Sequence, residues 1–236
     1  MKTPIAEASK VNVTRAAVYS FLSRAFKIEV DARFLKEIDE IEPTLKLLGE
    51  SQASNELKEA NRLLAEFAGQ SKDLKGEKKE SLLTELAAEY ASLFLGMGPK
   101  PVHLVESVHL SKDHLLYQQP FHEIIQAYKS LGYEKEKGFQ EPEDHVAVEF
   151  DFMAKLCRWT AKTLDDGDIE KTIAYLNLQK EFLRDHLNLW VPKLCQELEK
   201  AATSPLYKAL AHLAKGFVTV DDEIPDHLTE TLKKKD

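Results

Sequence analysis

One short run of the sequence combines an imidazole with several carboxylates at the predicted start of a helix. The run is Glu141-Pro-Glu-Asp-His145, and Glu149 follows one helical turn after His145. Pro142 suits the first position of a helix, and acidic side chains suit the positive end of the helix dipole. An ionised carboxylate also accepts forked hydrogen bonds from arginine. The run is therefore either an acidic helix start or a receptor for cationic side chains, and both interpretations stay open.

A second unusual stretch interrupts an apolar helical pattern. After Leu93 and Phe94, two glycines and two prolines occur between Gly96 and Pro101. Proline lacks the backbone donor that a helix needs, and glycine adopts backbone angles that other residues avoid. The following residues, 102–110, are largely apolar and are the one segment with strand-like alternation. Because long irregular loops tend to carry function, we expect this loop to take part in binding.

Motifs for catalysis or metal binding are incomplete. His122-Glu-Ile-Ile-Gln126 lacks the second histidine of a zinc-protease helix, and Glu106-Ser-Val-His109 is a single copy of a motif that di-iron bundles use twice. The glycines of Gly96–Pro101 do not complete a dinucleotide-binding fingerprint, and the sequence contains neither a phosphate-binding Gly-Lys-Ser/Thr nor a Gly-x-Ser-x-Gly nucleophile elbow. We therefore predict no enzyme activity, no metal and no cofactor. The alternative of a nucleotide-hydrolysing enzyme would rest on the acidic cluster.

Composition indicates a soluble globular protein. The chain has 236 residues, of which 43% are hydrophobic and 31% charged, with a net charge of −8. This charge argues against nucleic-acid binding, which depends on basic residues. The two cysteines, Cys157 and Cys195, fall at apolar helical positions and are expected to be buried thiols. Neither a signal-peptide core nor a run of about 18 apolar residues occurs, so we expect a cytoplasmic protein without stable membrane insertion.

Apolar spacing predicts an all-α fold with about nine helices. Asp31, Asp168 and Ser204 are expected to cap helices, and Gly132 to follow the end of one. Residues 1–10 are expected to be frayed. Pro43 should end one helix or begin another, and the last helix should stop at Gly216.

The organisation along the chain is predicted to be one helical domain followed by a tail. The domain would cover residues 1–217, with an N-terminal half (11–132), a charged hinge (133–140) and a C-terminal half (141–217). Residues 218–236 are expected to form a polar tail.

These motifs together resemble the TorD/DmsD family of redox-enzyme maturation chaperones. The resemblance covers roughly residues 15–217 and is carried by six elements: Leu93-Phe94-Leu-Gly96, Pro101, Glu106-Ser-Val108, Glu141-Pro-Glu-Asp-His145, His186-Leu-Asn-Leu-Trp190 and Ser204-Pro-Leu-Tyr-Lys-Ala-Leu210. It implies an all-helical cytoplasmic chaperone without catalysis. Such a chaperone binds the precursor of a molybdopterin oxidoreductase, through its twin-arginine signal peptide, its mature body or both, until the cofactor is inserted.

The resemblance also implies which residues bind the client. The family's peptide-binding positions correspond here to Tyr90, Leu93, Phe94, Pro101, Ser107, Asp144 and His145, and Glu141 and Pro142 complete the second motif. Members commonly carry a Pro-Pro-aromatic run before the Ser-Val motif, where this sequence has His103-Leu-Val105, so the groove should lack an aromatic wall at Val105. Members are also associated with domain-swapped homodimers, for which residues 133–140 would be the hinge, and with GTP binding, for which the sequence offers no motif.

The residues themselves favour the same kind of ligand. A twin-arginine signal is a cationic pair followed by an apolar segment, which requires carboxylates beside an exposed apolar surface. The carboxylates would come from Glu106, Glu141, Glu143 and Asp144. The apolar surface would come from Leu93, Phe94, Met97, Leu104 and Val105. The alternative is that these apolar residues pack only into the core. A further alternative is an assembly chaperone for a non-exported molybdoenzyme of the nitrate-reductase type.

Overall fold

The computed structural model describes residues 4–50 and 54–234, and the regular secondary structure of these residues is helical, which confirms the all-α prediction. The helices are α1 (Pro4–Lys27), α2 (Ala32–Glu50), α3 (Asn55–Ser71), α4 (Glu77–Phe94), α5 (Glu106–Leu110), α6 (Gln119–Ser130), α7 (Val146–Asp165), α8 (Ile169–Phe182), α9 (Asn188–Ala201), α10 (Pro205–Asp221) and α11 (Ile224–Lys233). A π-helical turn, Leu183–Leu187, joins α8 to α9 without a break.

The core is built around α1 and α7, which pack along each other, while α10 packs against α3 and α9. The ring of Tyr19 on α1 lies 5.9 Å from Phe150 on α7 and 4.9 Å from Phe217 on α10. Trp190 on α9 is completely buried. The main buried cluster contains residues from both predicted halves of the chain. Burial of large aromatic side chains is the dominant favourable contribution to such a core.

A buried polar network connects α1 to α8 and α10. Arg15 donates two hydrogen bonds to the carboxylate of Asp221, at 2.6 and 2.7 Å, and Tyr19 donates a third at 2.7 Å. Arg15 also donates to the side chains of Asn12 and Gln179. The carboxylate of Asp221 thus compensates the charge of a guanidinium that is 3% exposed.

Predicted helix caps are confirmed at three positions. Asp31 accepts from the backbone N–H of Phe34 at 2.7 Å, and Asp168 from that of Lys171 at 3.0 Å. Ser204 caps α10, whose first residue is Pro205. The predicted glycine end of α6 is also present, since Gly132 has a φ of 63° directly after the capping residue. At these three positions, a short polar side chain directly before an apolar helical pattern therefore predicts the start of a helix correctly.

Two predictions about the first helices are wrong. Residues 1–3 lie outside the described residues, but residues 4–10 belong to α1 and are not frayed, because Ala8 and Asn12 are buried against later helices. Pro43 lies inside α2 and does not interrupt it. Pro43 itself is exposed. Ile41 before it and Leu45 after it are buried and lie on the same face of the helix. Burial of this face outweighs the hydrogen bond that the proline removes.

The predicted end of α10 and the predicted polar tail are also wrong. The helix continues beyond Gly216 to Asp221, and a Cβ added at Gly216 would lie 3.0 Å from the backbone nitrogen of Leu57. This glycine therefore permits close packing of α10 on α3. Within 218–234, α11 buries Leu228 and Leu232 in a small cluster with residues of α1, α7 and α8. Their spacing of four places them on one helix face. Residues 235 and 236 lie outside the described part.

Both cysteines are free and fully enclosed, as predicted. Burial raises the pKa of each thiol to about 12. None of the helices in residues 4–50 and 54–234 is long and apolar enough to cross a membrane.

Candidate functional site

A cleft of about 620 Å³ opens where the ends of several helices meet. Its walls come from the end of α1 and the α1–α2 connection, the end of α4, the segment after the Gly/Pro break, and the residues before α7. The lining residues are Lys27, Ile28, Glu29, Asp31, Tyr90, Phe94, Leu95, Val102, His103, Leu104, Val105, Leu116, Phe139, Glu141 and His145. The cleft thus joins the two sequence stretches that were predicted to bind a ligand.

The Gly/Pro break forms the apolar wall. α4 ends at Phe94, and Gly96 adopts a φ of 73°, which turns the chain. The backbone N–H of Val102 then donates to the carbonyl of Leu93 at 2.7 Å, so the segment folds back along the helix end. The ring of Phe94 packs on Tyr90 at 5.0 Å and remains partly exposed to the cleft.

The backbone at Gly98 passes so close to Ser92 of α4 that only glycine fits at this position. A Cβ at this position would lie 2.3 Å from the hydroxyl of Ser92 and 2.5 Å from its carbonyl oxygen. Any other residue would push the segment away from α4. The loop conformation therefore depends on this glycine.

Two backbone hydrogen bonds join the Ser-Val motif to the Asp-His motif. Glu106 donates to the carbonyl of Asp144 at 2.9 Å, and Val146 donates to the carbonyl of Leu104 at 2.8 Å. They flank an isolated antiparallel bridge between Val105 and His145. The strand-like alternation in residues 102–110 thus produces one bridge followed by the short helix α5.

Asp144 supports the wall of the cleft from behind. Its side chain is completely buried, and Oδ2 accepts from the backbone N–H of Ser107 at 2.9 Å and from the Ser107 hydroxyl. Burial raises the pKa of this carboxyl group, although the bonds from Ser107 oppose the shift. Asp144 holds the start of α5 and does not line the cleft.

Glu106 and Glu149 are buried in the same region. Both oxygens of Glu106 lie near Nδ1 of His186, at 3.1 and 3.2 Å, and Glu149 accepts from the indole N–H of Trp190 at 3.1 Å. Burial raises the pKa of Glu149 well above its ordinary value, and Glu106 and Asp144 raise it further. Burial also raises the pKa of Glu106. Both carboxyl groups are buried, and neither lines the cleft.

His145 caps α7 and faces the cleft. Its Nδ1 accepts from the backbone N–H of Ala147 at 3.1 Å, and its ring meets that of Phe139 edge-on at 5.2 Å. Burial and the nearby charge of Lys135 lower its pKa to about 3. The imidazole is therefore neutral. The helix begins at Val146, so the prediction that Pro142 occupies the first helical position is wrong.

The charged side chains of the cleft leave two carboxylates without a partner. Lys27 pairs with Glu136, and Asp31 pairs with Arg24 while it caps α2. Within the described residues, the exposed carboxylates of Glu29 and Glu141 form no ion pair. The cleft therefore presents two available negative charges beside an apolar wall. It suits a cationic ligand with an adjoining apolar part.

The structure divides the predicted binding residues into three groups. Tyr90, Phe94, Glu141 and His145 line the cleft. Leu93 and Pro101 line a second cavity of about 530 Å³ on the other side of Val102. Glu106, Ser107, Pro142 and Asp144 are buried.

Sequence reasoning missed Glu29, Leu116 and Phe139. The cap at Asp31 indicated a connection between helices but not that it borders the cleft. Contacts between segments so far apart in the chain leave no local pattern.

Clusters of histidine, cysteine and carboxylate side chains that could hold a metal ion do not occur in the described parts of the chain.

Comparison with known proteins assigns the family. The sequence model of the nitrate reductase delta subunit family matches residues 50–196, more than half of the chain. The chain belongs to this family. The match includes α4, the Gly/Pro break, both motifs of the cleft wall and the π-helical turn, but not the α1–α2 connection that contributes Glu29.

Curated relatives agree over most of the chain. The chaperone protein TorD of Aliivibrio salmonicida is 25% identical over 91% of this chain and 96% of its own length, and that of Shewanella piezotolerans is 27% identical over 92% and 94%. The chaperone protein TorD of Photobacterium profundum is 30% identical over 61% of this chain and 65% of its own. The resemblance predicted from the motifs is confirmed. This family member is a chaperone and not an enzyme.

Proposed function

We propose that this chaperone binds the precursor of a molybdopterin oxidoreductase in the cytoplasm and holds its twin-arginine signal peptide in the cleft. Cofactor insertion and folding of the precursor would then precede export. The observation that carries the proposal is the position of Glu29 and Glu141, two carboxylates without ion pairs that border one apolar cleft.

The electrostatic part of the proposal follows from these two carboxylates. A guanidinium group forms two parallel hydrogen bonds with a carboxylate, so the cleft offers one acceptor for each arginine of a pair. The neutral state of His145 adds no repulsion for a cationic peptide.

Exposed apolar side chains in and near the cleft would contact the apolar part of a signal peptide. Leu95 and Met97 of the Gly/Pro break are 59% and 78% exposed, and Leu115, Leu116 and Tyr117 are exposed on the connection between α5 and α6. Leu116 lines the cleft itself. Exposed apolar residues gathered beside a cleft are typical of peptide-binding surfaces.

Calorimetry with a synthetic signal peptide tests the proposal. We expect replacement of both arginines by alanine to weaken binding by about tenfold or more, since charged hydrogen bonds are lost. Glu141→Gln should weaken binding of the arginine peptide by about three- to tenfold and leave the alanine peptide unaffected. Glu40→Gln, an equal change of charge at an exposed position of α2 outside the cleft, is the control. Equal affinities of the two peptides for the wild-type protein would contradict the proposal.

A second candidate is an assembly chaperone for a molybdoenzyme that is not exported, and the description of the matched family favours it. In that case the client would be bound through its mature body. Affinity for a purified precursor and for the same enzyme without its signal peptide would distinguish the two. Loss of affinity on removal of the signal peptide supports the leading proposal, and unchanged affinity supports the second.

Domain-swapped dimerisation through residues 133–140 remains a further proposal. In the structure, this connection is held by an ion pair between Lys135 and Glu143 and by a hydrogen bond from the Tyr133 hydroxyl to Asp151. An exchange of halves would have to re-form these contacts with a second chain. Light scattering coupled to size-exclusion chromatography would report the dimer, and a monomer at all concentrations would exclude it.

A further inference from the structure

The π-helical turn between α8 and α9 carries a polar ring into the interior of the protein. The backbone N–H of Asn188 donates to the carbonyl oxygen of Leu183, five residues earlier, which is the hydrogen bond that defines such a turn. A π-helical turn inside an α-helix is rare, and it frequently marks a functional site. Of the five residues in this turn, Leu183, His186 and Leu187 are buried. The imidazole of His186 therefore lies among apolar side chains.

His186 and Trp190 meet two buried carboxyl groups from one side of this helix. Nδ1 of His186 lies 3.1 and 3.2 Å from the two oxygens of Glu106, at the start of α5. The indole N–H of Trp190 donates to Glu149 of α7 at 3.1 Å. Residues four apart on a helix share a face, so each carboxyl group receives one donor from the same face.

The carboxyl group of Glu106 depends on His186. Within the described residues, its hydrogen bonds are those to Nδ1 of His186, and its side chain is completely buried. Burial, Asp144 and Glu123 all raise the pKa of Glu106, and the hydrogen bond and charge of His186 oppose this rise. A buried carboxylate without a partner is costly, so loss of the imidazole would favour movement of Glu106 out of its place.

The backbone of Glu106 is part of the cleft wall. This residue directly follows Leu104 and Val105, which line the cleft. Its N–H donates to the carbonyl of Asp144 at 2.9 Å, and the N–H of Val146 donates to the carbonyl of Leu104 at 2.8 Å. Displacement of Glu106 would therefore disturb both backbone hydrogen bonds that hold the wall.

We propose that His186 is a positioning residue for the cleft, which holds the carboxylate of Glu106 and thereby keeps the wall of Leu104 and Val105 in the shape that binds a peptide. This inference rests on the proposed function, but His186 itself does not line the cleft. The nearly equal distances from Nδ1 to both oxygens of Glu106 fit one N–H shared by an ionised carboxylate, so the proton lies on Nδ1.

Two substitutions separate this hydrogen bond from packing. His186→Asn places an amide N–H near the position of Nδ1, whereas His186→Leu fills more of the space and has no donor. We expect the leucine variant to bind the arginine peptide about three- to tenfold more weakly, and its Glu106 and Val146 amides to exchange hydrogen about tenfold faster. We expect the asparagine variant to stay within about twofold of wild type in both measurements. Packing alone would predict the reverse order.

A control and a measurement on the wild-type protein complete the experiment. Arg184→Leu, at an exposed position of the same turn, should change neither quantity. The ¹⁵N resonances of wild-type His186 should show a protonated Nδ1, a test that needs no variant. An unprotonated Nδ1, wild-type behaviour of His186→Leu, or equal losses in the leucine and asparagine variants would overturn the inference. Failure of the wild-type protein to bind the arginine peptide would refute the proposed function, while hydrogen exchange of the two amides would still decide whether His186 positions the wall.

Discussion

At the scale of single residues, the Asp-His pair separates into two different roles. Asp144 is enclosed and holds α5 through Ser107, whereas His145 borders the cleft. Both residues belong to one sequence motif. Because they are adjacent, their spacing does not show which of them faces the cleft. Which of them borders the cleft depends on the bridge between Val105 and His145, a contact between segments 40 residues apart. The sequence therefore predicted the motif, but not that Asp144 is enclosed while His145 lines the cleft.

Glu149→Gln should stabilise the protein at neutral pH. The pKa of Glu149 is raised in the folded state by burial and by Glu106 and Asp144, so the folded state keeps a proton that the unfolded state loses above about its ordinary value of 4.5. The contribution of Glu149 to the free energy of unfolding therefore falls as pH rises above this value, by about 1.4 kcal/mol for each pH unit up to the folded pKa. Glutamine removes this penalty and can still accept from Trp190.

Chemical denaturation at a series of pH values checks this prediction. The difference between Glu149→Gln and wild type should be largest at neutral pH and should shrink as the pH falls toward 4.5. Glu134→Gln, at an exposed position, is the control. A difference that does not change with pH would contradict a raised pKa.

At the scale of helices, local signals predicted the caps, and distant packing decided the exceptions. Asp31, Asp168 and Ser204 act within one turn, so their sequence context suffices. The local sequence around Pro43 and Gly216 predicts helix ends. The helices continue because of contacts that the fold sets, namely burial of the helix face around Pro43 and close packing of Gly216 on α3. Such reversals are expected wherever tertiary packing outweighs propensity.

Gly98→Ala should disturb the cleft more than the protein as a whole. The added Cβ would lie 2.5 Å from the carbonyl oxygen of Ser92, so the segment between α4 and Val102 must move. We expect at least about a threefold loss of peptide affinity, corresponding to the loss of one hydrogen bond or a comparable contact. Calorimetry with the arginine peptide and thermal unfolding measure the two effects.

Gly69→Ala is the matched control for this substitution. Gly69 lies in α3, and a Cβ added there would have no other atom within 4 Å, so alanine should stabilise the helix by about 0.5–1 kcal/mol and leave affinity unchanged. Unchanged affinity in Gly98→Ala would show that the segment after α4 does not shape the binding site.

At the scale of the whole molecule, the network around Arg15 joins the first helix to the last third of the chain. Asp221→Ala should destabilise the protein by about 3–5 kcal/mol, because it leaves the guanidinium buried without its counter-charge. The double variant Arg15→Met with Asp221→Leu should recover much of this loss. Urea denaturation measures both, and Arg62→Ala, which breaks exposed ion pairs, should have little effect. A small effect of Asp221→Ala would contradict a structural role of the network.

The fully enclosed thiols have a practical consequence for spectroscopy. Cys157 and Cys195 are 0% and 1% exposed, and their raised pKa keeps them in the unreactive protonated form. The variant Met97→Cys, at a position that is 78% exposed and lies two residues after the cleft-lining Leu95, should therefore accept a maleimide fluorophore while the two native thiols do not react. Occupancy of the cleft could then be followed optically in otherwise unaltered protein.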